Sequence, residues 1–166
     1  MKPETKYGLL IGAGFCLWNL ADFALGFHTR RFDLGEYADY CSAIVPCMLL
    51  TFLLLQRRRE SGGITLGQGV RSGAQASLLG GVILYLFMLV YNRFINPGWM
   101  DAALDWKVAQ MRAQDVTEFA IRDHIDWYRK LDSPLGCFLS LVAGSVVLGA
   151  LYSFLFTLVL RRKRPV

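Results

Sequence analysis

Four long apolar runs constrain this chain more than any other feature of its sequence. They extend over residues 7–27, 37–56, 69–95 and 135–160. Each approaches or exceeds the roughly 20 residues that an α-helix needs to cross about 30 Å of hydrocarbon. A chain of 166 residues is too small to cover four such helices in water. The sequence therefore predicts an all-α membrane protein, a four-transmembrane-helix bundle that forms a single membrane domain over residues 1–166.

Positive charges are distributed unevenly in this four-span scheme. On the side of the two termini, only Glu4 and Glu60 oppose a group of basic residues. That group consists of Lys2, Lys6, Arg57, Arg58, Arg59, Arg71, Arg161, Arg162, Lys163 and Arg164. Lys and Arg concentrate in short cytoplasmic segments near helix ends, so we expect both termini to be cytoplasmic. The same charges predict contact with anionic lipid headgroups on that side of the bilayer, and not with nucleic acid.

One face of the first run carries small and polar side chains together. With a spacing of 4, 3, 4, 3 and 4 residues, this face contains Gly8, Gly12, Phe15, Asn19, Asp22 and Gly26. Such spacing stays on one side of a helix in a left-handed bundle, so the face is predicted to point inward. Asp22 is then either a structural residue, which we favour, or a proton or ligand site.

A buried ionised carboxylate needs a partner, and the third span offers one. Arg93 is expected to reach the outer leaflet at the depth of Asp22, with Asn92 beside it. We therefore predict a structural polar pair of Asp22 and Arg93 in the membrane, accompanied by Asn19 and Asn92.

Small residues at intervals of four predict how the spans pack, because they let helix backbones approach closely in lipid. The predicted packing residues are Gly8 and Gly12 on the first span, Gly69, Gly73, Ser77 and Gly81 on the third, and Gly136, Ser140, Gly144 and Gly149 on the fourth. The fourth span has two such faces, since Gly149 belongs to a second series with Ser145, Ser153 and Thr157. One face can serve the bundle, and the other a partner or a second copy.

The long connection before the fourth span is predicted to be helical and to lie at the outer surface. Asp115 and Glu118 have the spacing of a helix-capping pair, and apolar residues recur on one side of the segment that follows. We interpret residues 99–130 as an amphipathic, interfacial helical segment. Two further local signals are Thr65 with Gln68, which predict a capping box at the start of the third helix, and Pro46, which predicts a kink in the second span.

Motifs of established chemistry are not recognisable in the sequence. No zinc spacing, nucleophile elbow, P-loop or dinucleotide fingerprint occurs, so we predict no catalytic residue, no metal ligand set and no cofactor. His28 and His124 are expected to be surface imidazoles on the outer side. Cys41 and Cys137 both fall near outer helix ends, but their spacing does not indicate a disulfide.

Several short motifs together resemble the domain-of-unknown-function 4199 family of small bacterial integral membrane proteins with four spans. The motifs are ALGFHT, ITLGQGVRSG, FINP and MRAQDVTEFAIRDHIDWYRKLDSP, and the resemblance extends from Lys6 to the basic tail. It implies a four-span topology in a bacterial inner membrane, and it brings no activity or catalytic residue. It also offers a weak hint of an association with lipid-linked glycosylation enzymes.

Two functions are weighed on this basis. The favoured one is a non-enzymatic inner-membrane subunit or scaffold that associates with a partner membrane protein or forms a homo-oligomer. Its basis is the small size, the missing catalytic motifs and the second small-residue face. The alternative is a small transporter or channel formed by oligomerisation. A membrane enzyme that acts on lipid is less favoured than either.

Overall fold

The computed structural model describes residues 1–160, and the basic tail from Arg161 to Arg164 lies outside them. Within that range the chain is all helical, and four helical segments are long and apolar enough to cross a membrane. These are Pro3–Ala24, Phe32–Glu60, Leu66–Ile95 and Pro134–Leu160. The prediction of an all-α bundle with four spans is confirmed.

The first span is helix α1 (Pro3–Ala24). The second consists of α2 (Phe32–Ser42) and α3 (Ile44–Glu60), which meet at Ala43. Pro46 explains this break, because proline has no N–H to donate to the carbonyl of residue 42, four positions earlier.

The third span is α4 (Leu66–Val90), continued by a π-helical segment, Tyr91–Ile95. Two helices follow outside the spans, α5 (Trp99–Ala113) and α6 (Glu118–Asp132). The fourth span consists of α7 (Pro134–Phe138), a second π-helical segment over Leu139–Ala143, and α8 (Gly144–Leu160).

The predicted start of the third helix is confirmed. Thr65 accepts a hydrogen bond from the backbone N–H of Gln68, and the Gln68 side chain accepts one from the Thr65 N–H, so the capping box is complete. The predicted cap of α6 is wrong. Thr117, not Asp115, occupies the N-cap and accepts from the Ala120 N–H. Asp115 lies in the preceding turn with φ of 54°, a left-handed conformation that Asp tolerates better than most residues.

Helix α4 is the centre of the bundle and packs against α1, α3 and α8. Predicted small residues line two of these contacts. Gly8 and Gly12 face Leu79 and Ile83 of α4, and Gly73 lies against Ser153 and the Gly149 carbonyl of α8. A side chain on any of these glycines would overlap with the neighbouring helix, which is why lipid-embedded helices keep small residues there. Gly69, Ser77, Gly81 and Gly149 belong to the same packed α4–α8 interface.

The other predicted face of the fourth span does not pack against another span. Within residues 1–160, no atom of a neighbouring segment lies within 4 Å of a Cβ built on Gly144, and Ser140 is exposed. The atoms nearest to a Cβ built on Gly136 belong to Lys130 and Leu131 at the end of α6. The face used by the bundle therefore runs through Gly149, and Gly136, Ser140 and Gly144 point elsewhere on the helix.

The chain reversals place four helix ends at each side of the bundle. The terminal end, as we name it, holds the starts of α1 and α4 and the ends of α3 and α8, joined by contacts such as that between Gly69 and Thr157. The loop end holds residues 25–31, α2, the first π-helical segment, α5 and α6. Cys41 and Cys137, which both belong to the loop-end half of their spans, are free thiols.

Candidate functional site

The candidate site is a cluster of three side chains at the loop end: Asp22, His28 and Asp39. One ligand-type atom of each residue lies within 4.8 Å of those of the other two. Asp22 is 4% exposed and His28 5% exposed, whereas Asp39 is open to the outside. The cluster thus combines two buried polar groups with one accessible group.

The reversal at the end of α1 brings His28 back towards Asp22. Gly26 has φ of 80°, the left-handed conformation in which glycine commonly ends helices. The Phe27 N–H donates to the Asp22 carbonyl and the Gly26 N–H to the Phe23 carbonyl, which is the hydrogen-bond pattern of a Schellman motif. The chain therefore turns immediately after Asp22, and His28 follows on the inner side of the turn.

Helix α2 supplies Asp39 through a close backbone approach. Gly35 is buried, and a Cβ on it would lie 2.8 Å from the Phe27 carbonyl oxygen. Residues four apart share one face of a helix, so the face that Gly35 presses onto residues 25–31 also carries Asp39. An ion pair of 2.9 Å between Glu36 and Lys107 holds α2 against α5.

The third span fixes the His28 ring. His28 Nδ1 lies 2.8 Å from the hydroxyl oxygen of Tyr91, a residue with no exposed surface. The His28 ring stacks on Trp99 with 4.8 Å between ring centroids, and Asn96 donates to the His28 carbonyl. Because Nδ1 is engaged by Tyr91, the second ring nitrogen, Nε2, is the one available to the cluster.

Burial controls the protonation of His28. The pKa of the His28 imidazole lies below its usual value, because the protonated ring would lose its hydration in the interior. The ring is therefore neutral at neutral pH and offers a lone pair. His28 is not the surface imidazole that the sequence predicted. His124 is also partly buried, with Nε2 lacking a hydrogen-bond partner within the described part of the chain.

The predicted ion pair of Asp22 and Arg93 is wrong. Arg93 is exposed, and no ion pair between residues 1 and 160 includes Asp22. Tyr91 has the inward position at this level of the third span, and a residue two positions later points to the opposite side of the helix. The prediction that Asp22 faces the bundle interior is confirmed by its burial.

The two predicted asparagines serve local contacts. Asn19 donates to the Phe15 carbonyl in its own helix, and Asn92 accepts from the Trp99 indole N–H at 2.7 Å. Asn92 thereby orients the ring that stacks on His28. The Trp18 indole N–H, one turn before Asp22, lacks regular hydrogen-bond geometry to any acceptor in the described range. The indole is neutral, so it supplies no counter-charge to Asp22, and no ion pair among residues 1–160 supplies one.

Sequence reasoning identified Asp22 but not its neighbours His28, Asp39 and Tyr91. Gly26 was a signal for His28, since a glycine that ends a helix predicts a reversal and the return of the following residues. No local sequence pattern indicates that Asp39 or Tyr91 belongs to the site, because segments distant in sequence pack together to place them there.

The three groups form a set that can ligate a cation. A neutral imidazole and two carboxylates offer one nitrogen and two oxygen ligands, a combination found around divalent transition metals. In a tetrahedral zinc site the ligand atoms lie about 3.3 Å apart, so the widest separation here has to shorten by about 1.5 Å. The exposed Asp39 side chain is free to make that adjustment.

Comparisons with known proteins identify the family of this chain but no individual relative. No curated protein and no solved structure matches the chain. One family model matches residues 6–162, which include every residue of the cluster and all four spans except the first three residues of the first span. The chain therefore belongs to the family described as protein of unknown function (DUF4199).

Proposed function

We propose that this protein is a non-enzymatic component of a bacterial inner membrane, with both termini in the cytoplasm, that binds a divalent transition-metal ion at its loop end. The loop end then faces away from the cytoplasm. The orientation is supported by the Lys and Arg residues gathered at the terminal end.

A single observation supports the metal proposal. A carboxylate and an imidazole, each more than nine-tenths buried, converge, and no ion pair among residues 1–160 supplies the carboxylate with a positive charge. Burying a carboxylate without a counter-charge is costly, and a divalent ion would supply the missing charge. The Tyr91 hydroxyl at Nδ1 acts as the outer-shell partner that orients a metal-ligating histidine. This proposal departs from the sequence analysis, which predicted no metal ligands.

The chemical nature of the three ligands limits which metal ions fit the site. Imidazole is a good ligand for Zn²⁺ and its transition-metal neighbours, whereas Mg²⁺ and Ca²⁺ prefer sites built from oxygen alone. Three protein ligands leave a fourth position for water or for an exchanging ligand on the exposed side, next to Asp39. Such a site is suited to sensing or holding a metal at the membrane surface.

Metal binding is tested on the purified full-length protein after removal of metal with a chelator. We expect one equivalent of Zn²⁺ by calorimetry, and visible bands of tetrahedral Co²⁺ when cobalt replaces zinc. Asp39→Asn should weaken binding at least about tenfold. Asp33→Asn, at an exposed acid of the same helix, is the matched control. Absence of stoichiometric binding, or equal weakening by both variants, would overturn the proposal.

A second function, association with a partner membrane protein, is favoured by the open face of the fourth span. Ser140 is exposed and Gly144 has open space beside it, although small residues on the same helix are fully used against α4. This face suits the close approach of a partner helix, including one from a lipid-linked glycosylation enzyme. A photo-cross-linker at Ser140 in native membranes should capture a partner that one at the exposed Leu86 does not; equal capture would contradict the assignment.

The transporter alternative has less support. A transport path needs a continuous series of polar groups through the bilayer. In the middle of the described spans the Thr51 and Tyr152 hydroxyls hydrogen-bond to each other at 2.6 Å, but side chains at this level, such as Leu50 and Leu148, are apolar. In addition, α4 and α8 approach so closely at Gly73 and Gly149 that a side chain on either glycine would overlap with the facing helix.

A further inference from the structure

A polar cavity lies at the terminal end, at the opposite end of the bundle from the cluster of Asp22, His28 and Asp39. It has a volume of about 450 Å³ and is enclosed by the starts of α1 and α4 and the end of α3. That volume falls in the range of about 300 to 1,000 Å³ typical of small-ligand sites. Its charged lining consists of Lys2, Glu4, Arg57 and Arg71.

Among the described residues that line the cavity, the one acid, Glu4, is neutralised by the protein itself. Glu4 is 7% exposed, and its Oε1 accepts hydrogen bonds from Arg57 Nε at 2.7 Å and Nη2 at 2.5 Å. The Ser72 hydroxyl donates to the same oxygen at 2.7 Å. Glu4 and Arg57 therefore form one satisfied pair at the wall of the cavity.

Two positive charges remain after this pairing. Lys2 and Arg71 are exposed, and neither belongs to an ion pair of the described residues. Neutral donors accompany them. The Gln68 carbonyl oxygen is occupied by the capping box, which leaves its NH₂ group available, and Gln75 contributes a second amide. The cavity thus presents cationic and amide N–H donors to a single space.

The start of α1 adds to the positive field. Lys2 is the N-cap of α1, and no side chain caps the helix there. The first-turn N–H groups consequently point towards the terminal end with the positive pole of the helix dipole. An anion in the cavity would interact favourably with this pole, although the two side-chain charges dominate.

The third span sets the depth of the cavity in the bilayer. Its apolar part runs from Ala76 to Tyr91, contains Ser77 but no charged residue, and is followed by Asn92 and Arg93. At 1.5 Å per residue it is about 24 Å long, which covers most of the roughly 30 Å of hydrocarbon. Gln75 directly precedes this stretch, and Arg71 lies five residues before it, about one and a half turns. The cavity therefore lies at the level of the lipid headgroups, where a phosphate group is already present.

We propose that the terminal-end cavity binds a phosphate group, and that this phosphate is the headgroup of an anionic phospholipid. Lys2 and Arg71 supply the charge, and Gln68 and Gln75 donate hydrogen bonds to the phosphate oxygens. The site is independent of the metal cluster, which lies at the other end of α1. It differs from general electrostatic attraction because it depends on the residues that line the cavity and not on the total charge of this end.

Native mass spectrometry of the full-length protein tests the proposal, with phosphatidylglycerol or phosphatidylcholine added to the micelles. We expect one phosphatidylglycerol to bind preferentially. Arg71→Gln should weaken it about fivefold, which is the usual contribution of one basic residue at a charged membrane surface. Arg59→Gln is the matched control, because Arg59 is an exposed arginine at the same end that does not line the cavity.

The remaining outcomes each decide a point. Equal weakening by Arg71→Gln and Arg59→Gln would show diffuse attraction and overturn the proposal. Lys2→Gln repeats the test at an exposed terminal residue, in case the Arg71 variant folds poorly. Inorganic phosphate alone distinguishes the source of the ligand. If it binds with the same dependence on Lys2 and Arg71 while phosphatidylglycerol does not, the phosphate site stands and the lipid is not its ligand.

Discussion

Each end of α1 buries one carboxylate, and the two carboxylates have opposite surroundings: one is paired with a cation and the other lies beside a second acid. Glu4 and Asp22 are 7% and 4% exposed and lie about 27 Å apart along the helix. Glu4 receives three hydrogen bonds, two of them from a guanidinium. Asp22 lies beside a neutral imidazole and a second acid. The protein thus balances the charge of Glu4 with its own Arg57, whereas none of the ion pairs among residues 1–160 includes Asp22.

The comparison teaches that burial alone does not identify a functional acid. Glu4 is as buried as a catalytic or ligand-binding group, yet its surroundings account for it completely. Asp22 is distinguished because no ion pair of the described residues, 1–160, includes it. Charge balance around a buried group therefore separates a structural carboxylate from a candidate ligand more sharply than depth does.

Both carboxylate sites depend on the packing of the helix bundle, so we expect the largest effect from a substitution that disrupts the α4–α8 contact. Gly73→Leu should reduce the folded yield in detergent severalfold, because the added side chain meets Ser153 and the Gly149 carbonyl across the α4–α8 contact. Gly144→Leu introduces the same side chain where nothing lies within 4 Å, and should behave like the wild type. The measurement is the monodisperse fraction in size-exclusion chromatography. A similar loss for both variants would show that the Gly144 face is also packed.

Removal of the partner of Glu4 should give the next largest effect. Arg57→Ala leaves a buried carboxylate without its cation, and we expect a loss of about 2 kcal/mol in the free energy of unfolding. The value is below that of a fully buried pair, because the Arg57 side chain is 37% exposed and partly screened by water. Reversible unfolding in mixed micelles measures it. Arg59→Ala is the control and should change the free energy by less than about 0.5 kcal/mol.

The smallest change in the free energy of unfolding is expected for Asp22→Asn. Unlike the loss expected for changes at Glu4 or Arg57, it should not be a destabilisation. In metal-free protein, Asp22→Asn removes a group that has no counter-charge, so the free energy of unfolding should stay within about 1 kcal/mol of the wild-type value and not fall below it. Glu4→Gln, the equivalent change at the other end, should lower it. Added Zn²⁺ should raise the melting temperature of the wild type but not of Asp22→Asn. A clear destabilisation of metal-free Asp22→Asn would mean that Asp22 is a structural acid like Glu4.

The sequence was sufficient for the spans and for much of their packing. Apolar runs long enough to cross a bilayer have few alternatives to a helix, because every backbone polar group must be satisfied within the segment. The α4 series of Gly69, Gly73, Ser77 and Gly81 was correctly predicted, since a four-residue repeat keeps to one helix face. Asp22 was conspicuous for the same reason, as a carboxylate inside an apolar run.

The composition of the loop-end site could not be predicted in the same way. Asp39 reaches the cluster only because Gly35 lets α2 approach residues 25–31, and Tyr91 only because the third span faces it inward. The error at Arg93 has a related cause. Depth in the bilayer follows from counting residues, but the direction of a side chain depends on the local helix geometry.

The two π-helical segments change the rotation of the third and fourth spans near the loop end. Both lie in the loop-end part of adjacent spans, over Tyr91–Ile95 and Leu139–Ala143. A π-helical turn accommodates one residue more than an α-turn, so the residues beyond it are rotated relative to those before it. The loop end can therefore gain or lose single residues in evolution, and so re-aim its side chains, while the Gly73–Gly149 contact keeps its register.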